Sequence, residues 1–249
     1  MRPETRQTLW HGFLDLVFPR NDLFFNRGLD YRPEDGLYLG EDSSRYIRLI
    51  REPFCATCGF PLFGRAKDDG ECQKCIHLKP NFEANRSVIL LNRLGKRIMH
   101  ELKYHQGEYL MQDIRHIMAQ SGHLEEWIKG SILVPIPLHG RKFRERGYNQ
   151  SELIAKAFAE VWGGSDTEIC SLLRRDVDTA TQTLMDRQAR MKNVKGAFTL
   201  NPSCDRRGDP RPVTIIDDVF TTGSTINECA RILKKSGYRV IRSLTFGHG

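Results

Sequence analysis

The pattern of apolar and polar positions changes near residue 131. From there on, short apolar runs alternate with amphipathic stretches, which predicts strands and helices in turn. The apolar runs are SILVPIP, EICSLLRR, VTIIDD and RVIRSLTF, and the amphipathic stretches are GYNQSELIAKAFAEVW and STINECARILKKSG. This alternation is typical of an α/β domain with a mainly parallel sheet, in which ligands bind beyond the carboxyl ends of the strands.

The first 130 residues are less regular. TLWHGFLDLVFP near the amino terminus predicts a helix that docks on the body, residues 21–52 have no strong period, and 88–105 and 108–120 predict two helices. Residues 53–80 contain too few large apolar side chains to build a core unaided. We therefore expect a helix and an irregular segment over 1–52, a small module over 53–80 and the α/β domain over 85–249.

Four of the seven cysteines form two close pairs, Cys55 with Cys58 and, thirteen residues later, Cys72 with Cys75. This spacing is typical of two knuckles that supply four thiolates to one tetrahedral Zn²⁺ ion, a closed site with a structural role. Four metal-free thiols are the alternative. The other three cysteines have no paired spacing and are interpreted as packing residues: Cys170, Cys204 and Cys229.

A strand-to-helix junction at 213–225 has the residues of a phosphate site. The apolar run 213–216 reads as a buried strand that ends in Asp217 and Asp218. The next helix is preceded by Thr221, Thr222, Gly223, Ser224 and Thr225. Hydroxyl groups, free N–H groups and the positive end of a helix bind phosphate, whereas carboxylates accept hydrogen bonds from sugar hydroxyls. The junction therefore predicts a phosphorylated ribose as ligand, with a capped helix after an acidic turn as the alternative.

Two basic segments accompany this junction. The first follows ILVPIP as a turn, and we interpret it as a pyrophosphate site because guanidinium groups offer a rigid fork of donors; its residues are His139, Arg141, Arg144 and Arg146. A solvated loop is the alternative. The second lies between Leu173 and Phe198 and reads as a long polar loop with a short helix near 184–191, a composition that suits a mobile lid. Its candidate closing residues are Arg174, Arg175, Arg187 and Arg190.

The apolar tetrad, the acid pair and TTGST together resemble the signature of type I phosphoribosyltransferases. This resemblance implies the fold of that class, with Asp217 and Asp218 on the ribose hydroxyls and residues 221–225 on the 5-phosphate. It also implies Mg²⁺ between pyrophosphate and ribose. The charge pattern alone does not imply these roles.

A wider resemblance covers residues 53–249. FCATCGFPL, LKYHQGE, VPIPLHGRKFRERGYNQ, TQTLMDRQARMKNVKGAF and the TTGST loop occur in the order seen in the ComF family. That family implies an amino-terminal zinc-ribbon-like module on a phosphoribosyltransferase domain and, by name, a link to competence and DNA uptake. The chain departs from the family over 21–52, where many members have further cysteines and this sequence has none. We therefore expect one zinc ion, with a lost first knuckle replaced by packing.

Two functions are consistent with these features. The first is an enzyme that transfers phosphoribose from phosphoribosyl pyrophosphate, with Mg²⁺, to an acceptor that the sequence does not identify. The second is a non-catalytic or weakly catalytic protein that binds single-stranded DNA, using Phe54, Phe60 and Phe63 for stacking unless these rings form the core of the knuckle. The net charge of +7 permits both functions and equally suits a solvated surface. Without a long apolar run or a signal peptide, we expect a cytoplasmic protein with no membrane insertion.

Overall fold

The computed structural model describes residues 21–26, 37–62, 72, 75, 78–177 and 194–249. Its centre is a five-stranded parallel sheet with the strand order β1-β7-β6-β2-β3. These strands are β1 (Asn85–Leu90), β2 (Ile132–Pro135), β3 (Glu168–Ile169), β6 (Val213–Phe220) and β7 (Ile241–His248). Two further strands, β4 (Leu173–Arg175) and β5 (Phe198–Leu200), form a separate antiparallel pair. The predicted α/β architecture with a mainly parallel sheet is confirmed.

The helices lie between these strands. They are α1 (Glu41–Ser44), α2 (Arg93–Tyr104), α3 (Met111–Ala119), α4 (Gly140–Arg146), α5 (Gln150–Trp162) and α6 (Ser224–Lys235). Short 3₁₀ turns occur at Gly107–Leu110, Gly122–Trp127 and Pro202–Cys204. Asn92 and Asn149 cap α2 and α5, because each side chain accepts a hydrogen bond from a backbone N–H of the first turn. In the part of the chain that the structure describes, no helix is both long enough and apolar enough to cross a membrane.

The sheet separates two apolar clusters. On one face α2, α3 and α5 pack against the sheet, with fully buried Ile98, Ile114 and Phe158 among their contacts. The other cluster joins α6, the β4–β5 pair and the cysteine segment. The sheet is therefore covered on both sides, as expected for parallel strands that are apolar throughout.

The prediction of one helical stretch over 88–105 is wrong in its first part. Residues 85–90 form β1, an outer strand of the sheet, in which Val88 and Ile89 are buried. The helix begins after Asn92, whose side chain accepts a hydrogen bond from the Gly95 N–H at 2.9 Å. A short apolar run does not by itself distinguish a buried strand from the start of a helix. The second predicted helix, near 108–120, is confirmed as α3.

Buried carboxylates organise the described part of the segment before β1. Asp22 accepts hydrogen bonds from the backbone N–H groups of Phe24, Phe25 and Gly40 at 2.7–2.8 Å and from the Ser43 hydroxyl at 2.5 Å. Asp113 on α3 accepts hydrogen bonds from the N–H groups of residues 38 and 39. Carboxylates thus gather N–H groups in a segment that has no cysteines. The predicted helix near the amino terminus lies outside the described residues.

The three cysteines outside the two close pairs have different environments. Cys229 is fully buried on α6, and its interpretation as a packing residue is confirmed. Cys170 and Cys204 instead form a disulfide bond, with 6.6 Å between their Cα atoms, so their interpretation as packing residues alone is wrong. The fold brings them together because Cys170 follows β3 and the 3₁₀ turn after β5 ends at Cys204. Their separation of 34 residues gives no local signal of this contact.

Candidate functional site

A cavity of about 350 Å³ lies at the carboxyl end of β6, between α2 and the start of α6. It is bordered by the predicted acid pair, Asp217 and Asp218, and by the whole predicted phosphate loop, residues 221–225. Residues of α2 form the opposite wall, among them Lys96, His100, Lys103 and Tyr104. The structure therefore brings the two predicted parts of the ribose phosphate site into one cavity.

The acids lie within a strand instead of after it, which corrects the sequence interpretation. β6 continues to Phe220, and it stays paired with β7 through Asp217 and Thr245 to the end of the strand. On its other side β6 pairs with β2 only as far as Ile216. The carboxylates are therefore beyond the end of β2, the shorter neighbour, and this opens one side of β6 toward the cavity.

The phosphate loop has a backbone that favours glycine at its centre. Gly223 has φ of 72°, and a Cβ atom at this position would lie 2.6 Å from Cζ of Phe220. The Thr222 and Ser224 hydroxyl oxygens are 2.7 Å apart on either side of it. Helix α6 starts at Ser224, and the first N–H groups of a helix have no partner within the helix. Hydroxyl and N–H donors thus converge at the positive end of a twelve-residue helix.

The two acids have different partners. Asp217 accepts a hydrogen bond from the Ser151 hydroxyl at 2.9 Å, and Ser151 is placed by the first turn of α5. Burial and the adjacent Asp218 carboxylate raise the pKa of Asp217 to about 7. Asp218 forms an ion pair with Lys103, and its side chain is 7% exposed. Burial would lower the pKa of Lys103, but the Asp218 and Asp217 carboxylates outweigh burial, and that pKa is raised.

Lys103 is one of several cavity residues on α2 that the sequence interpretation missed. It belongs to α2, more than a hundred residues before the acids in the chain, and no spacing rule links the two. The one available signal was the LKYHQGE motif, which contains it. The ammonium group carries the positive charge that balances half of the acid pair.

The basic segment after β2 is a helix, α4, and the prediction of a turn there is wrong. His139 caps this helix, with its ring nitrogen accepting a long hydrogen bond of 3.4 Å from the Arg141 N–H. Arg146 contacts the edge of the site: its guanidinium lies 5.2 Å from the ring centre of Tyr104 and donates to Gln150 at 2.8 Å. The lining of the cavity includes none of the four predicted pyrophosphate residues, His139, Arg141, Arg144 and Arg146. Because α4 follows β2 directly, these groups are at the same edge of the sheet as the cavity.

The candidate lid residues are only partly described. Arg174 and Arg175 belong to β4, not to a loop, and the Arg175 guanidinium lies 5.2 Å from the ring centre of Phe198 on β5. Neither arginine borders the cavity. Arg187, Arg190 and the predicted short helix lie outside the described residues, so the lid stays a prediction.

The four paired cysteines are arranged to bind a metal ion. Their sulfur atoms all lie within 4.8 Å of one another, and the distances that join Cys55 to Cys75, Cys58 to Cys72 and Cys72 to Cys75 are 3.5, 3.3 and 3.6 Å. Four thiolates about 2.3 Å from a tetrahedral zinc ion would be about 3.8 Å apart, so the donor set fits after small shifts. Burial raises the pKa of Cys55, but hydrogen bonds led by the Cys58 and Cys72 N–H groups lower it to about 7.

The cysteine segment is packed onto the α/β domain. Gly59 has φ of 74°, and a Cβ atom there would lie 2.7 Å from the carbonyl oxygen of Asn85 on β1. The carbonyl oxygen of Cys58 is 3.0 Å from both Asn85 Nδ2 and His248 Nε2. The first knuckle is therefore attached to the sheet by its own backbone.

The predicted stacking rings near the knuckle are already in contact with neighbours. Phe54 lies under the Arg86 guanidinium at 4.4 Å, and Phe60 packs edge-on against the His248 ring at 5.3 Å. Phe63 lies outside the described residues. Phe54 and Phe60 are thus packed against residues of the sheet, which favours a packing role over base stacking.

Comparison with protein-family models gives no match to this chain. Curated proteins do match it. The DNA utilization protein YhgH of Salmonella typhimurium is 27% identical over 197 residues, which cover 77% of this chain and 82% of the relative. Competence protein F of Haemophilus influenzae is 28% identical over 197 residues, or 76% of this chain and 82% of that protein. Competence protein ComFC of Streptococcus pneumoniae is 24% identical over 232 residues, covering 90% of this chain and 93% of that protein.

These relatives agree with the order of motifs in the sequence. Two of the three are named competence proteins, and the matched region in each spans at least three quarters of both chains. The architecture adds a four-cysteine cluster packed on a parallel α/β sheet. The chain is thus similar to competence protein F and ComFC over most of its length, in line with the resemblance of its motifs to the ComF family.

Proposed function

We propose that the protein binds phosphoribosyl pyrophosphate with Mg²⁺ in the cavity at the end of β6 and transfers phosphoribose to an acceptor. One observation carries this proposal: the acid pair and the complete hydroxyl-rich loop border the same cavity, at the start of a helix. A ribose 5-phosphate needs acceptors for its hydroxyl groups and, close to them, donors for its phosphate. The acids and the loop supply these two kinds of group from adjacent parts of one strand-to-helix junction.

The roles of the residues follow from their chemistry. Asp217 and Asp218 accept hydrogen bonds from the ribose hydroxyls, and residues 221–225 hold the 5-phosphate. Arg146, with the other basic groups of α4 behind it, attracts the pyrophosphate. Mg²⁺ suits this site because its preferred ligands are carboxylate and phosphate oxygens, and it would neutralise charge on the departing pyrophosphate.

Lys103 orients the acid pair in this proposal. Its ion pair holds Asp218, while the Ser151 hydroxyl holds Asp217. Two fixed carboxylates form a preorganised receptor for adjacent ribose hydroxyls, and preorganisation reduces the cost of binding. Lys103 is therefore a positioning residue for the sugar.

Calorimetry with phosphoribosyl pyrophosphate and Mg²⁺ tests the binding step. We expect binding by the unaltered protein and its loss in Asp217→Ala plus Asp218→Ala. The matched control replaces two adjacent acids on α1, Glu41→Ala plus Asp42→Ala, which are exposed and far from the cavity in the chain. Equal binding by the acid-pair variant and the control would refute the site.

Transfer is tested separately from binding. Release of pyrophosphate is followed while nucleobases and small amines are offered as acceptors. An acceptor that accelerates release in the unaltered protein and not in the acid-pair variant supports the enzyme. Tight binding without release by any acceptor would leave a ligand-binding protein and reject transfer.

The four cysteines are proposed to hold one structural zinc ion. The donor set of four thiolates and the closed arrangement favour zinc over Mg²⁺ or Ca²⁺, which prefer oxygen ligands. We expect one tightly bound zinc per chain by metal analysis, and its loss in Cys58→Ser. The parts 53–80 and 85–249 are proposed to act as one unit, because Asn85 and His248 bind the knuckle backbone.

A second candidate function is binding of single-stranded DNA, which the names of the relatives favour. Two of the exposed aromatic rings lie close together: Phe25 and Tyr46 are 39% and 51% exposed, with ring centres 5.8 Å apart. Base stacking on such rings beside arginines is a common mode of single-strand recognition. Binding that weakens with salt and is lost in Phe25→Ala plus Tyr46→Ala would support this function, and charge reversal at Arg144 and Arg146 tests the α4 surface in the same assay.

A further inference from the structure

The carboxyl end of α2 brings together three side chains that bind metals. The ligand atoms of His100, Glu101 and His105 all lie within 4.8 Å of one another. None of the three is part of the cysteine cluster or of the acid pair. We propose that these residues form a second metal site, for a divalent transition-metal ion such as Zn²⁺, Co²⁺ or Ni²⁺.

The backbone fixes the position of His105 relative to Glu101. The His105 N–H donates to the Glu101 carbonyl oxygen at 3.0 Å, which closes the last turn of α2. Gln106 then has φ of 52°, and the chain turns back against the helix. A Cβ atom at Gly107 would lie 2.5 Å from the Glu101 carbonyl carbon, so this approach requires glycine. The position of His105 relative to Glu101 is thus built into the end of the helix.

The carboxylate is the most constrained of the three ligands. Glu101 is buried, with its side chain 9% exposed, and an Arg97 nitrogen lies 2.9 Å from Oε1. The Tyr109 hydroxyl donates to Oε2 at 3.4 Å. A carboxylate has about four lone-pair positions, so these two partners leave room for a metal bond. Hydrogen bonds of this kind orient the ligands of metal sites in many proteins.

The two imidazoles complete the donor set. His100 and His105 are both exposed, and their ring centres are 5.1 Å apart with 39° between the ring planes. Metal–nitrogen bonds of about 2.0–2.1 Å require donor atoms closer together than 4.8 Å, and rotation of these side chains supplies that movement. Two imidazoles and one carboxylate suit zinc, cobalt or nickel, whereas Mg²⁺ prefers oxygen ligands alone.

The position of the site gives it a relation to the ligand cavity. His100 and Tyr104 border that cavity, and their ring centres are 5.1 Å apart. Three protein ligands leave coordination positions open, as in zinc sites that also bind a small molecule. A metal ion here would sit at the rim of the cavity with a free position for a phosphate oxygen. This last point rests on the proposed function, whereas the metal site itself does not.

The test uses metal ions alone with untagged full-length protein whose cysteine site is loaded with zinc. Calorimetric titration with Zn²⁺ and visible spectra with Co²⁺ report further binding, and sulfur-to-cobalt charge transfer reports any exchange at the cysteines. We expect one additional ion per chain, with the weak visible bands of nitrogen and oxygen ligands. His100→Ala and His105→Ala should each weaken it more than about 100-fold, because even residues behind the ligands contribute about 10- to 100-fold.

The matched control is His123→Ala, an exposed histidine outside the cluster. It should bind the additional ion as the unaltered protein does. Tyr109→Phe should weaken binding about tenfold through the carboxylate without removing a ligand. Absence of an additional ion in the unaltered protein, or equal binding by the His100, His105 and His123 variants, would overturn the site. Loss of phosphoribosyl pyrophosphate binding alone would leave it standing.

Discussion

The ion pair between Lys103 and Asp218 provides the most direct test of the cavity. Lys103→Met keeps the length of the side chain and removes its charge. The Asp218 side chain is 7% exposed and that of Lys103 is 26% exposed, so the carboxylate would stay largely buried without its cation. Asp217 is the neighbouring residue in the strand, so the variant would contain two adjacent carboxylates that have both lost the Lys103 ammonium group.

The size of the effect follows from this burial. Removing one partner of a buried ion pair costs about 3–5 kcal/mol, and the partial exposure of Lys103 favours about 3 kcal/mol at pH 8. The cost should shrink at pH 6. Asp217 already has a pKa of about 7, and without Lys103 the acid pair takes up a proton more readily in the folded state. A group whose pKa is higher in the folded state than in the unfolded state stabilises the protein fully at pH values below its unfolded-state pKa. This stabilisation is lost as the pH rises through the folded-state pKa. Each unit of pKa difference is worth about 1.4 kcal/mol, and the unaltered protein itself gains about 1.4 kcal/mol over this range through Asp217, so the cost of the substitution should shrink by about 1 kcal/mol between pH 8 and pH 6.

Urea denaturation at both pH values measures the free energy of unfolding. Lys96→Met is the matched control, since Lys96 lies on the same helix, borders the same cavity and is exposed. A double-mutant cycle with Asp218→Asn isolates the interaction from other effects of each substitution. If Lys103→Met costs no more than Lys96→Met, or if its cost does not change with pH, the ion pair does not hold the acid as described.

Three further predictions concern other parts of the chain. Gly59→Ala should destabilise the protein by at least about 1–2 kcal/mol in thermal denaturation, because the left-handed backbone and the Asn85 carbonyl oxygen both oppose a side chain. The control Gly122→Ala should change stability little, because the space around Gly122 is open. Asp22→Asn should cost about 1–3 kcal/mol at pH 7. Burial raises the pKa of Asp22 but the Ser43 hydroxyl and backbone N–H groups lower it overall, so the difference from the variant should vanish as pH falls through that lowered value. Binding of phosphoribosyl pyrophosphate should weaken by up to about tenfold per pH unit below the Asp217 pKa of about 7. In Asp217→Asn, measured over the same pH range, this weakening should be absent.

Local patterns in the sequence were sufficient for the elements that surround the cavity. β2, α5, β6, α6 and β7 have strong periodicity and clear helix starts, and all occur near the predicted positions. The acid pair and TTGST are contiguous in the chain, so their joint presence at one cavity needed no knowledge of the fold. Paired cysteine spacing likewise depends on local turns, and the four sulfur atoms do converge.

Features that depend on distant contacts could not be read in this way. Lys103 reaches Asp218, and Cys170 reaches Cys204, only because the sheet places separate elements side by side. β1 has an apolar run that continues into a helical pattern, and its pairing with β7 decides the strand. The turn predicted for the arginines of α4 failed for a different reason. Helix α4 has no buried residues, so the sequence shows no helical period of apolar positions there. The helix forms nonetheless, because the His139 ring caps its first turn and Gly147, at φ of 83°, ends it.

The inequivalence of the two acids has a consequence for how a sugar would bind. The resemblance to phosphoribosyltransferases assigns both carboxylates one role, yet Asp217 faces a neutral hydroxyl donor and Asp218 an ammonium group. Burial and the adjacent Asp218 carboxylate raise the pKa of Asp217, and the neutral Ser151 hydroxyl offsets only part of this effect. A ligand hydroxyl or a metal-bound water that donates to Asp217 would therefore relieve more unfavourable charge than one that donates to Asp218. Asp217 therefore contributes more to the free energy of ligand binding, whereas Asp218, through its ion pair with Lys103, contributes more to the stability of the ligand-free site.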